Sequence, residues 1–274
     1  RVALIANPLA GAVRDGKVRP RGLVAGAEVF EPSSLEALDR VAAELGDAEV
    51  VAIAGGDGTL HRVITAFVRA RGQARLPDFA ILPAGTNNAV GRNVGVCDVE
   101  PTTAEALLAS ATRTLPTLAI TLDDGVSRRT EVGFSVGAGL VARAFREYLK
   151  DEHPGLVAAV RAIASPLLGT LRDDAFFSPV RLSAMVDGRP AYEGQLTALV
   201  ASVVDDPLRV LEPLGPPLHG RPGFHLALAA FPFDRVVREL PRILAGRNGD
   251  PLHRVDEASE LEMEVDEGLM IEGD

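Results

Sequence analysis

The sequence is poor in the residue types that build disulfides, metal clusters and base-stacking surfaces. It contains one cysteine, Cys97, so no intrachain disulfide can form, and a reducing compartment fits this content. Tryptophan is absent and aromatic residues make up 4% of the chain, which leaves little material for stacking nucleic-acid bases. The five histidines lack metal-ligand spacing, and the Gly-x-Ser-x-Gly match at 133–137 lies inside an apolar strand pattern (131–138) rather than at a strand-to-helix elbow. The sequence therefore predicts neither a zinc cluster nor a serine hydrolase.

Long apolar runs are missing as well. No uninterrupted run approaches the ~20 residues needed to span a bilayer, and the opening residues RVALIANP lack the apolar region of a signal peptide. A cytoplasmic protein without a transmembrane segment is expected.

The charge of the chain is acidic, with a formal net charge of −10. Binding to nucleic acid, which depends on neutralising phosphates, is therefore disfavoured. One basic cluster departs from this balance, consisting of Arg14, Lys17, Arg19 and Arg21. It is either a solvated loop or a loop that faces phosphates or lipid headgroups, which allows peripheral contact at the inner membrane face.

The first part of the chain alternates strand and helix patterns. Short apolar runs predict strands at 2–6, 27–30, 49–56 and 79–85, and helical spacing predicts helices at 33–46, 58–71 and 102–112. This alternation predicts an α/β domain with a parallel sheet over residues 1–118. Ligands of such sheets bind outside the carboxyl ends of the strands.

The alternation of strand and helix patterns stops at about residue 117. Strand patterns occur at 117–122, 131–138, 180–188, 195–202, 224–231 and 261–265, and helical stretches at 140–151, 155–169 and 234–246. Several short strands without regular crossover helices predict a mostly antiparallel β-sandwich domain over residues 119–274. We expect the two domains to pack directly with a cleft between them.

A glycine-rich stretch, AGGDGTLHRV, links the strand at 49–56 to the following helix. Glycines let the backbone approach a ligand closely, and the N-terminus of a helix accommodates an anion. Asp57 in this loop would repel a phosphate unless a metal or a transferable proton intervenes, which favours phosphate chemistry assisted by Mg²⁺. The alternative is that Asp57 simply caps the helix.

Two similar loops follow neighbouring strands. ANPLAG occupies residues 6–11 and LPAGTNNAVGRNVG occupies residues 82–95. Because the carboxyl ends of parallel strands meet at one edge of a sheet, the three loops are expected to form a single site.

The motifs NPLAG, GGDGT and PAGTNN, in this order and approximate spacing, resemble the diacylglycerol kinase catalytic domain. This family comprises bacterial lipid kinases, diacylglycerol kinases and sphingosine kinases and is distantly similar to NAD kinases. The resemblance implies that ATP and Mg²⁺ bind in the cleft and that the γ-phosphate passes to a lipid hydroxyl. It implies contacts with the nucleotide from Asn7, Pro8, Gly11, Gly55, Gly56, Asp57, Gly58, Thr59, Gly85, Thr86 and Asn87. Asp57 would also be catalytic and is the candidate ligand of the metal.

The chain departs from the family pattern in three places, the third of which is near the C-terminus. After GGDGT the family usually has a hydrophobic residue, Asn and Glu, whereas this chain has Leu60, His61 and Arg62. Arg62 reverses the charge beside the phosphate site, and His61 is expected to be a residue of the helix face. In the second domain, Ser202 stands where an Asn is expected, and the segment 221–223 (Arg-Pro-Gly) replaces an acidic turn. Because a hard cation needs oxygen ligands, the structural metal site of the family is predicted to be absent.

The family's catalytic base is usually the Glu of an Asp-Gly-Glu near the C-terminus. The final residues here, LMIEGD, match with the two acids exchanged, which makes Glu272 and Asp274 the candidate catalytic acids. The alternative is that both belong to a solvated tail.

Three functions are compatible with these features. The first is an ATP-dependent lipid kinase acting on a diacylglycerol-like or other long-chain alcohol. The second is a kinase of the same fold acting on a soluble alcohol or NAD, and the third is a nucleotide-binding protein with weak or no catalysis. The acceptor and the oligomeric state, for which a homodimer is the candidate, are not fixed by the sequence.

Overall fold

The structure is a computed structural model of the chain, and it describes residues 1–73, 76–149, 174–205, 222–230, 235 and 252–272. Two compact units are present: unit 1 comprises Arg1–Thr114 and Ala119–Gly133, and unit 2 comprises Leu115–Leu118 and Phe134–Asp274. Within the described ranges, no helix is both long enough and apolar enough to cross a membrane.

The strands and helices are numbered in chain order. The strands are β1 (Val2–Ala6), β2 (Glu28–Phe30), β3 (Val50–Gly55), β4 (Asp78–Pro83), β5 (Leu118–Asp123), β6 (Arg128–Gly133), β7 (Ser135–Gly139), β8 (Val180–Val186), β9 (Arg189–Leu196), β10 (Ala198–Ser202), β11 (Phe224–Ala229), β12 (Leu252–Ala258), β13 (Leu261–Val265) and β14 (Met270–Ile271). The helices are α1 (Gly11–Arg14), α2 (Leu35–Glu44), α3 (Asp57–Arg71), α4 (Ala89–Asn93), α5 (Pro101–Ala109), α6 (Leu140–Leu149) and α7 (Asp174–Phe177).

Unit 1 is built on a parallel sheet in the order β2-β1-β3-β4. The central strands β1 and β3 are almost wholly buried, which accounts for their continuous apolar sequences. One face of the sheet packs on a core that includes Leu4, Val18, Leu23 and Ala104. The helices begin where the sequence predicts: the Ser34 hydroxyl caps α2 by accepting from Ala37 N at 3.2 Å.

The described part of unit 2 contains two antiparallel sheets. One has five strands in the order β12-β11-β10-β7-β14, and the other has three in the order β13-β8-β9. The alternation of buried and exposed residues along β8 shows that the smaller sheet buries one face. In contrast, β10 and β11 are buried along nearly their whole length.

The predicted fold class is confirmed: a parallel α/β region is followed by a mostly antiparallel strand region. Two of the predicted strands prove to be pairs. Residues 131–138 divide between β6 and β7 at Phe134, and residues 195–202 divide between β9 and β10 at Thr197. The backbone at each break is bonded across the sheet, since Val203 N donates to Phe134 O and Thr197 N donates to Ala229 O.

Two sequence predictions concern segments that the structure does not describe. The helix predicted at 155–169 lies wholly outside the described residues, and of the helix predicted at 234–246 only Arg235 is described. The hairpin formed by β5 and β6 falls almost entirely in unit 1. The domain boundary after residue 118 stays a prediction.

Candidate functional site

The three polar loops start side by side at one edge of the unit 1 sheet. The parallel register pairs Ala6 of β1 with Ala54 of β3, and Gly55 of β3 with Pro83 of β4. The strands therefore end at the same level, and the loops that follow them are neighbours. We name them loop 1 (residues 7–11), loop 2 (residues 56–59) and loop 3 (residues 84–88).

Loops 2 and 3 approach each other so closely that glycine is required at their contact. A Cβ atom added to Gly85 would lie 2.4 Å from the Gly56 Cα atom, and one added to Gly56 would lie 3.2 Å from the Gly85 Cα atom. The preceding residue, Gly55, is confined by its own helix, because its added Cβ would lie 2.5 Å from the Thr59 Cβ atom. The glycines of the two motifs thus permit backbone contact between the loops.

Loop 1 is joined to loop 2 through Asn7 and Thr59. The Asn7 Nδ2 group donates to Thr59 Oγ1 at 2.8 Å, while Asn7 Oδ1 accepts from Leu9 N at 2.9 Å. The side-chain amide therefore shapes its own loop and at the same time positions the first turn of α3. Pro8 lies between Asn7 and Leu9, in the turn that leads to α1.

Loop 1 also contacts loop 3 through α1. The Ala12 amide donates to Ala84 O at 3.0 Å. An added Cβ on Gly11 would lie 3.8 Å from Thr86 Oγ1, an ordinary van der Waals distance. All three loops are consequently connected in pairs, as their positions at one sheet edge predict.

Asp57 forms the strongest link between loops 2 and 3. Its Oδ2 atom accepts from Ala89 N at 2.9 Å and its Oδ1 atom accepts from Val90 N at 3.0 Å. These amides form the first turn of α4, so Asp57 caps a helix other than the one it begins. The N-cap of α3 itself is Gly56, which has no side chain to cap with. The carboxylate thus caps α4.

The electrostatic state of Asp57 follows from this buried position. Burial raises the pKa of Asp57, and the amides of Ala89 and Val90 together with the charge of Arg92 offset only part of that effect. The net direction is upward. A buried carboxylate with a raised pKa at the N-terminus of a helix is a typical feature of functional sites.

Asn88 is a site residue that the motif comparison did not single out. It adopts a left-handed conformation, with φ of 51°, at the N-cap of α4. Its Oδ1 atom accepts from Gly85 N at 3.0 Å and its Nδ2 group donates to Gly85 O at 2.8 Å. Asn tolerates this conformation better than most residues. Two asparagines directly before a helix are the sequence signal for such a residue. The sequence, however, predicts the functional contact at Asn87 rather than at Asn88.

Asn87 is held from within α4. The Arg92 guanidinium donates to the Asn87 backbone O and lies 3.4 Å from Asn87 Oδ1. Arg92 thus places a cation beside loop 3, and its charge also acts on Asp57. The remaining predicted residue of loop 2, Gly58, lies in the first turn of α3.

His61 is buried at the interface between α3 and β6, with 3% of its surface exposed. Its Nδ1 atom lies 2.8 Å from Val132 O and its Nε2 atom 3.0 Å from Glu131 Oε2. Thr65, one turn further along α3, donates to Val132 O at 3.3 Å and accepts from Val132 N at 2.9 Å. His61 therefore joins two elements within unit 1, in addition to lying on the helix face as expected, while Arg62 is half-buried.

The candidate acid Glu272 lies in unit 2, directly after β14. It has a φ of 52°, and its Oε1 atom accepts from the amides of Phe134 and Ser135. These amides lie at the break between β6 and β7. Glu272 is thus a bound carboxylate rather than part of a solvated tail, and Asp274 lies outside the described residues.

The sequence predicts Asp57 as the ligand of a metal ion bound with the nucleotide. Within the described part of the chain, no group of three or more His, Cys, Asp or Glu residues is arranged to hold a metal ion. Of the segment predicted to replace the family's acidic turn, Pro222 and Gly223 are described and Arg221 is not. Ser202 is buried and bonded to Ser135, with 3.1 Å between the hydroxyl oxygens.

Residues 1–120 match the family model of the diacylglycerol kinase catalytic domain, which confirms the resemblance predicted from the three loops. A comparison with curated proteins gives no match. Among solved structures, a proposed diacylglycerol kinase from Bacillus anthracis str. Sterne has a TM-score of 0.70 at 15% identity, covering 100% of this chain and 90% of its own.

Two further structures are similar. A diacylglycerol kinase from Bacillus anthracis str. Sterne has a TM-score of 0.65 at 14% identity, covering 99% of this chain and 89% of its own. An NAD kinase from Archaeoglobus fulgidus in complex with ATP has a TM-score of 0.48 at 12% identity, covering 100% and 84%. The similarity to the two Bacillus anthracis structures establishes the fold of the chain.

Proposed function

Since residues 1–120 match the diacylglycerol kinase catalytic domain, we propose that the chain is an ATP-dependent kinase that transfers the γ-phosphate to the hydroxyl of a lipid. The acceptor is a diacylglycerol-like molecule or a related long-chain alcohol. The observation that carries the proposal is the Asp57 carboxylate, which joins loop 2 to loop 3 across the glycine contact. The three loops thereby form one continuous polar surface at the sheet edge.

The phosphates of ATP are assigned to loop 2. The first amides of α3, from Asp57 to Thr59, precede the first intrahelical hydrogen bond, which Leu60 N donates to Gly56 O at 3.0 Å. These amides have no carbonyl partner within α3, and together with the positive end of the helix dipole they favour a polyphosphate. Loop 1 and loop 3 supply the flanking contacts through Asn7, Gly11 and Thr86. Phosphoryl transfer depends mainly on positioning and charge neutralisation, which such a surface provides.

Mg²⁺ would enter with the nucleotide, and Asp57 is the residue of this surface that would hold it. Each of its oxygens accepts one amide, and a carboxylate oxygen has a second lone pair available. The metal neutralises charge on the phosphates when it is bound. Asp57 would be a single protein ligand, so phosphate oxygens and water would have to supply the remaining ligands.

Glu272 and Asp274 are the proposed sources of the general base. A base must reach the acceptor hydroxyl within hydrogen-bonding distance. Glu272 is held by the amides of Phe134 and Ser135 through one oxygen. This anchoring suits Glu272 to a positioning role, and we assign the proton transfer to Asp274, two residues further along.

The test is transfer of labelled γ-phosphate from ATP·Mg²⁺ to a mixed lipid extract in detergent micelles. The wild-type chain is expected to produce a labelled lipid. Asp57→Asn should lower the rate by on the order of 100-fold, because it removes the carboxylate that would hold the metal beside the phosphates. It should keep its fold, since an amide is less costly to bury than an ion. Asp39→Asn, an exposed change of the same kind on α2, is the matched control.

A second candidate is a nucleotide-binding protein with little catalysis, which the bound state of Glu272 favours. ATP binding measured by calorimetry without any labelled product would support it. Labelling of a soluble alcohol or of NAD instead of lipid would point to a soluble acceptor. If the Asp57→Asn variant labelled lipid as fast as the Asp39→Asn variant, the proposed catalytic role of Asp57 would be wrong.

A further inference from the structure

A row of three polar side chains crosses the five-stranded sheet of unit 2. The antiparallel register places Ser202 of β10 opposite Ser135 of β7 on one side and opposite His225 of β11 on the other. Directly paired residues point to the same face of a sheet. All three are buried, with 5% of Ser135, 0% of Ser202 and 1% of His225 exposed. Every other residue of these three strands is apolar or glycine, so the row is an exception that its hydrogen bonds must account for.

The two serine hydroxyls form a directed chain of hydrogen bonds. Ser202 Oγ donates to Val204 O at 2.9 Å and accepts from Val204 N at 2.9 Å. A hydroxyl carries a single proton, so the 3.1 Å contact between the two serine oxygens uses the proton of Ser135. Ser135 therefore donates to Ser202, and Ser202 fixes the turn that follows β10.

The backbone at the start of β7 is held from two sides. From β10, Ser202 binds the Ser135 hydroxyl, and Val203 N donates to Phe134 O at 2.9 Å. From the end of β14, Glu272 Oε1 accepts from the amides of Phe134 and Ser135. Glu272 N also donates to Ser135 O at 3.3 Å. Ser135 thus contacts Glu272 with both of its backbone groups and contacts β10 with its side chain.

We infer that Ser135 is a positioning residue for the terminal acids Glu272 and Asp274. This inference rests on the proposed function, in which Asp274 takes the proton of the acceptor hydroxyl. Glu272 has a φ of 52°, an uncommon conformation for this residue type, and the two amides hold it there. These amides keep their place because the Ser135 hydroxyl is bonded to Ser202. A base must lie within hydrogen-bonding distance of the proton that it removes, so a shift at Ser135 displaces the acids that follow β14.

The first test compares two variants that each remove one buried hydroxyl from unit 2. Ser135→Ala removes the bond to Ser202. The matched control is Thr197→Val, which removes a hydroxyl that is 3% exposed at the opposite end of β10 and keeps the branched side chain. With ATP·Mg²⁺ and lipid in micelles, Ser135→Ala should lower kcat by on the order of tenfold, because the base is misplaced. Its KM for ATP should stay within about twofold of wild type, and Thr197→Val should keep the wild-type kcat.

Two further variants separate positioning from a general loss of structure. Ser135→Thr retains a hydroxyl and should retain most of the wild-type kcat. The double variant Ser135→Ala with Ser202→Ala should lower kcat no further than Ser202→Ala does alone, because the two hydroxyls act as one unit. Additive losses in the double variant would overturn the inference.

Amide hydrogen exchange of the full chain without nucleotide gives a readout that does not depend on turnover. In Ser135→Ala, the amides of Phe134 and Ser135 should exchange at least about tenfold faster than in wild type, because their bonds to Glu272 open more often. The amides of Leu199 and Val200, in the middle of β10, should exchange at the wild-type rate.

The outcomes distinguish this inference from the proposed function. Unchanged exchange at Phe134 and Ser135, or an equal loss of kcat in Ser135→Ala and Thr197→Val, would overturn the inference while wild-type turnover still supported a kinase. Faster exchange in Ser135→Ala together with no transfer by the wild-type chain would refute the kinase assignment and support the coupling of Ser135 to Glu272.

Discussion

At the scale of a single residue, two opposing effects act on the charged form of Asp57: burial disfavours it, and hydrogen bonds from backbone amides favour it. Its carboxylate is partly buried, and the upward direction of its pKa means that the loss of water around it outweighs the amides that bind it. A group whose pKa is raised on folding contributes most stability when it is protonated, and that contribution is lost as the pH rises through the folded pKa. The ionised form, in which both oxygens accept hydrogen bonds from amides, therefore lowers the free energy of unfolding relative to the protonated form. Functional sites characteristically retain such groups.

The glycine at position 85 gives a test of the contact between loops. Gly85→Ala would place a Cβ atom 2.4 Å from the Gly56 Cα atom, so one loop must move. We expect unfolding to require about 1–3 kcal/mol less free energy, and ATP binding to weaken because loop 2 is displaced. Calorimetric unfolding and ATP titration measure the two effects.

Gly46→Ala is the control for this substitution. Its added Cβ would meet only Ala43 O at 3.7 Å, and Gly46 has no positive φ. Its stability should stay within about 0.5 kcal/mol of wild type. Equal behaviour of the two variants would mean that loops 2 and 3 are not in backbone contact.

At the scale of elements, α3 is the helix that connects the candidate site to the rest of unit 1. Its first turn belongs to loop 2, and its second and third turns are bonded to β6 through His61 and Thr65. The helix that begins in loop 2 is thus anchored on one side by polar contacts rather than by apolar packing alone.

Replacing His61 tests this anchoring. His61→Leu removes both contacts and leaves the buried carbonyl of Val132 with only its longer bond from Thr65. We expect a loss of about 1–3 kcal/mol in stability and faster amide hydrogen exchange in α3. Glu131→Gln keeps an acceptor for the ring and should cost less. A larger loss in Glu131→Gln than in His61→Leu would show that the charge of Glu131, not the histidine, anchors the helix.

The elements of unit 1 could be predicted from the sequence because their signals are local. Strand length, apolar runs and glycine turns placed the three loops at one sheet edge, and the structure brings them together there. The partners of the polar side chains could not be predicted. Asp57 binds amides 32 and 33 positions away, and His61 binds residues about 70 positions away. Such pairings depend on tertiary packing, which motif spacing does not encode.

At the scale of the whole molecule, a charged cluster ties together distant parts of unit 2. Arg143 of α6 donates to both oxygens of Glu267, at 3.0 and 2.7 Å, and to the carbonyls of Phe176 and Ser178. Arg146 also binds Glu267 at 2.7 Å. The cluster therefore links α6, the end of α7 and the segment that leads to β14.

The acid sensitivity of unit 2 follows from Glu267. Burial alone would raise its pKa, but the hydrogen bonds from Arg143 and Arg146 outweigh burial and hold the pKa below its ordinary value of 4.5. A depressed pKa adds stability above that ordinary value, and the addition is lost as the pH falls through the folded pKa. Glu267→Gln should therefore be less stable at neutral pH by about 1–3 kcal/mol. The difference should shrink in denaturation measured below about pH 4, and a constant difference would contradict the assignment.

The arrangement of strands in unit 2 was predicted less completely than that of unit 1. Antiparallel strands were expected, but the break at Phe134 was not. The break coincides with two amides that bind Glu272, a residue 138 positions away. The apolar pattern of the sequence continues through this break, so it predicts a single strand. In the structure β6 ends and β7 begins at the point where the Glu272 carboxylate binds.

The hairpin of β5 and β6 has a consequence for how such domains are exchanged between genes. The family match ends at residue 120, yet the anchor of α3 at Val132 lies beyond it. A recombination event at the end of the match would separate α3 from the strand that holds it, leaving His61 and Thr65 facing water. The structural module is therefore longer than the segment that matches the family model, and a transferred segment that ends at residue 120 is expected to lose the anchor of α3.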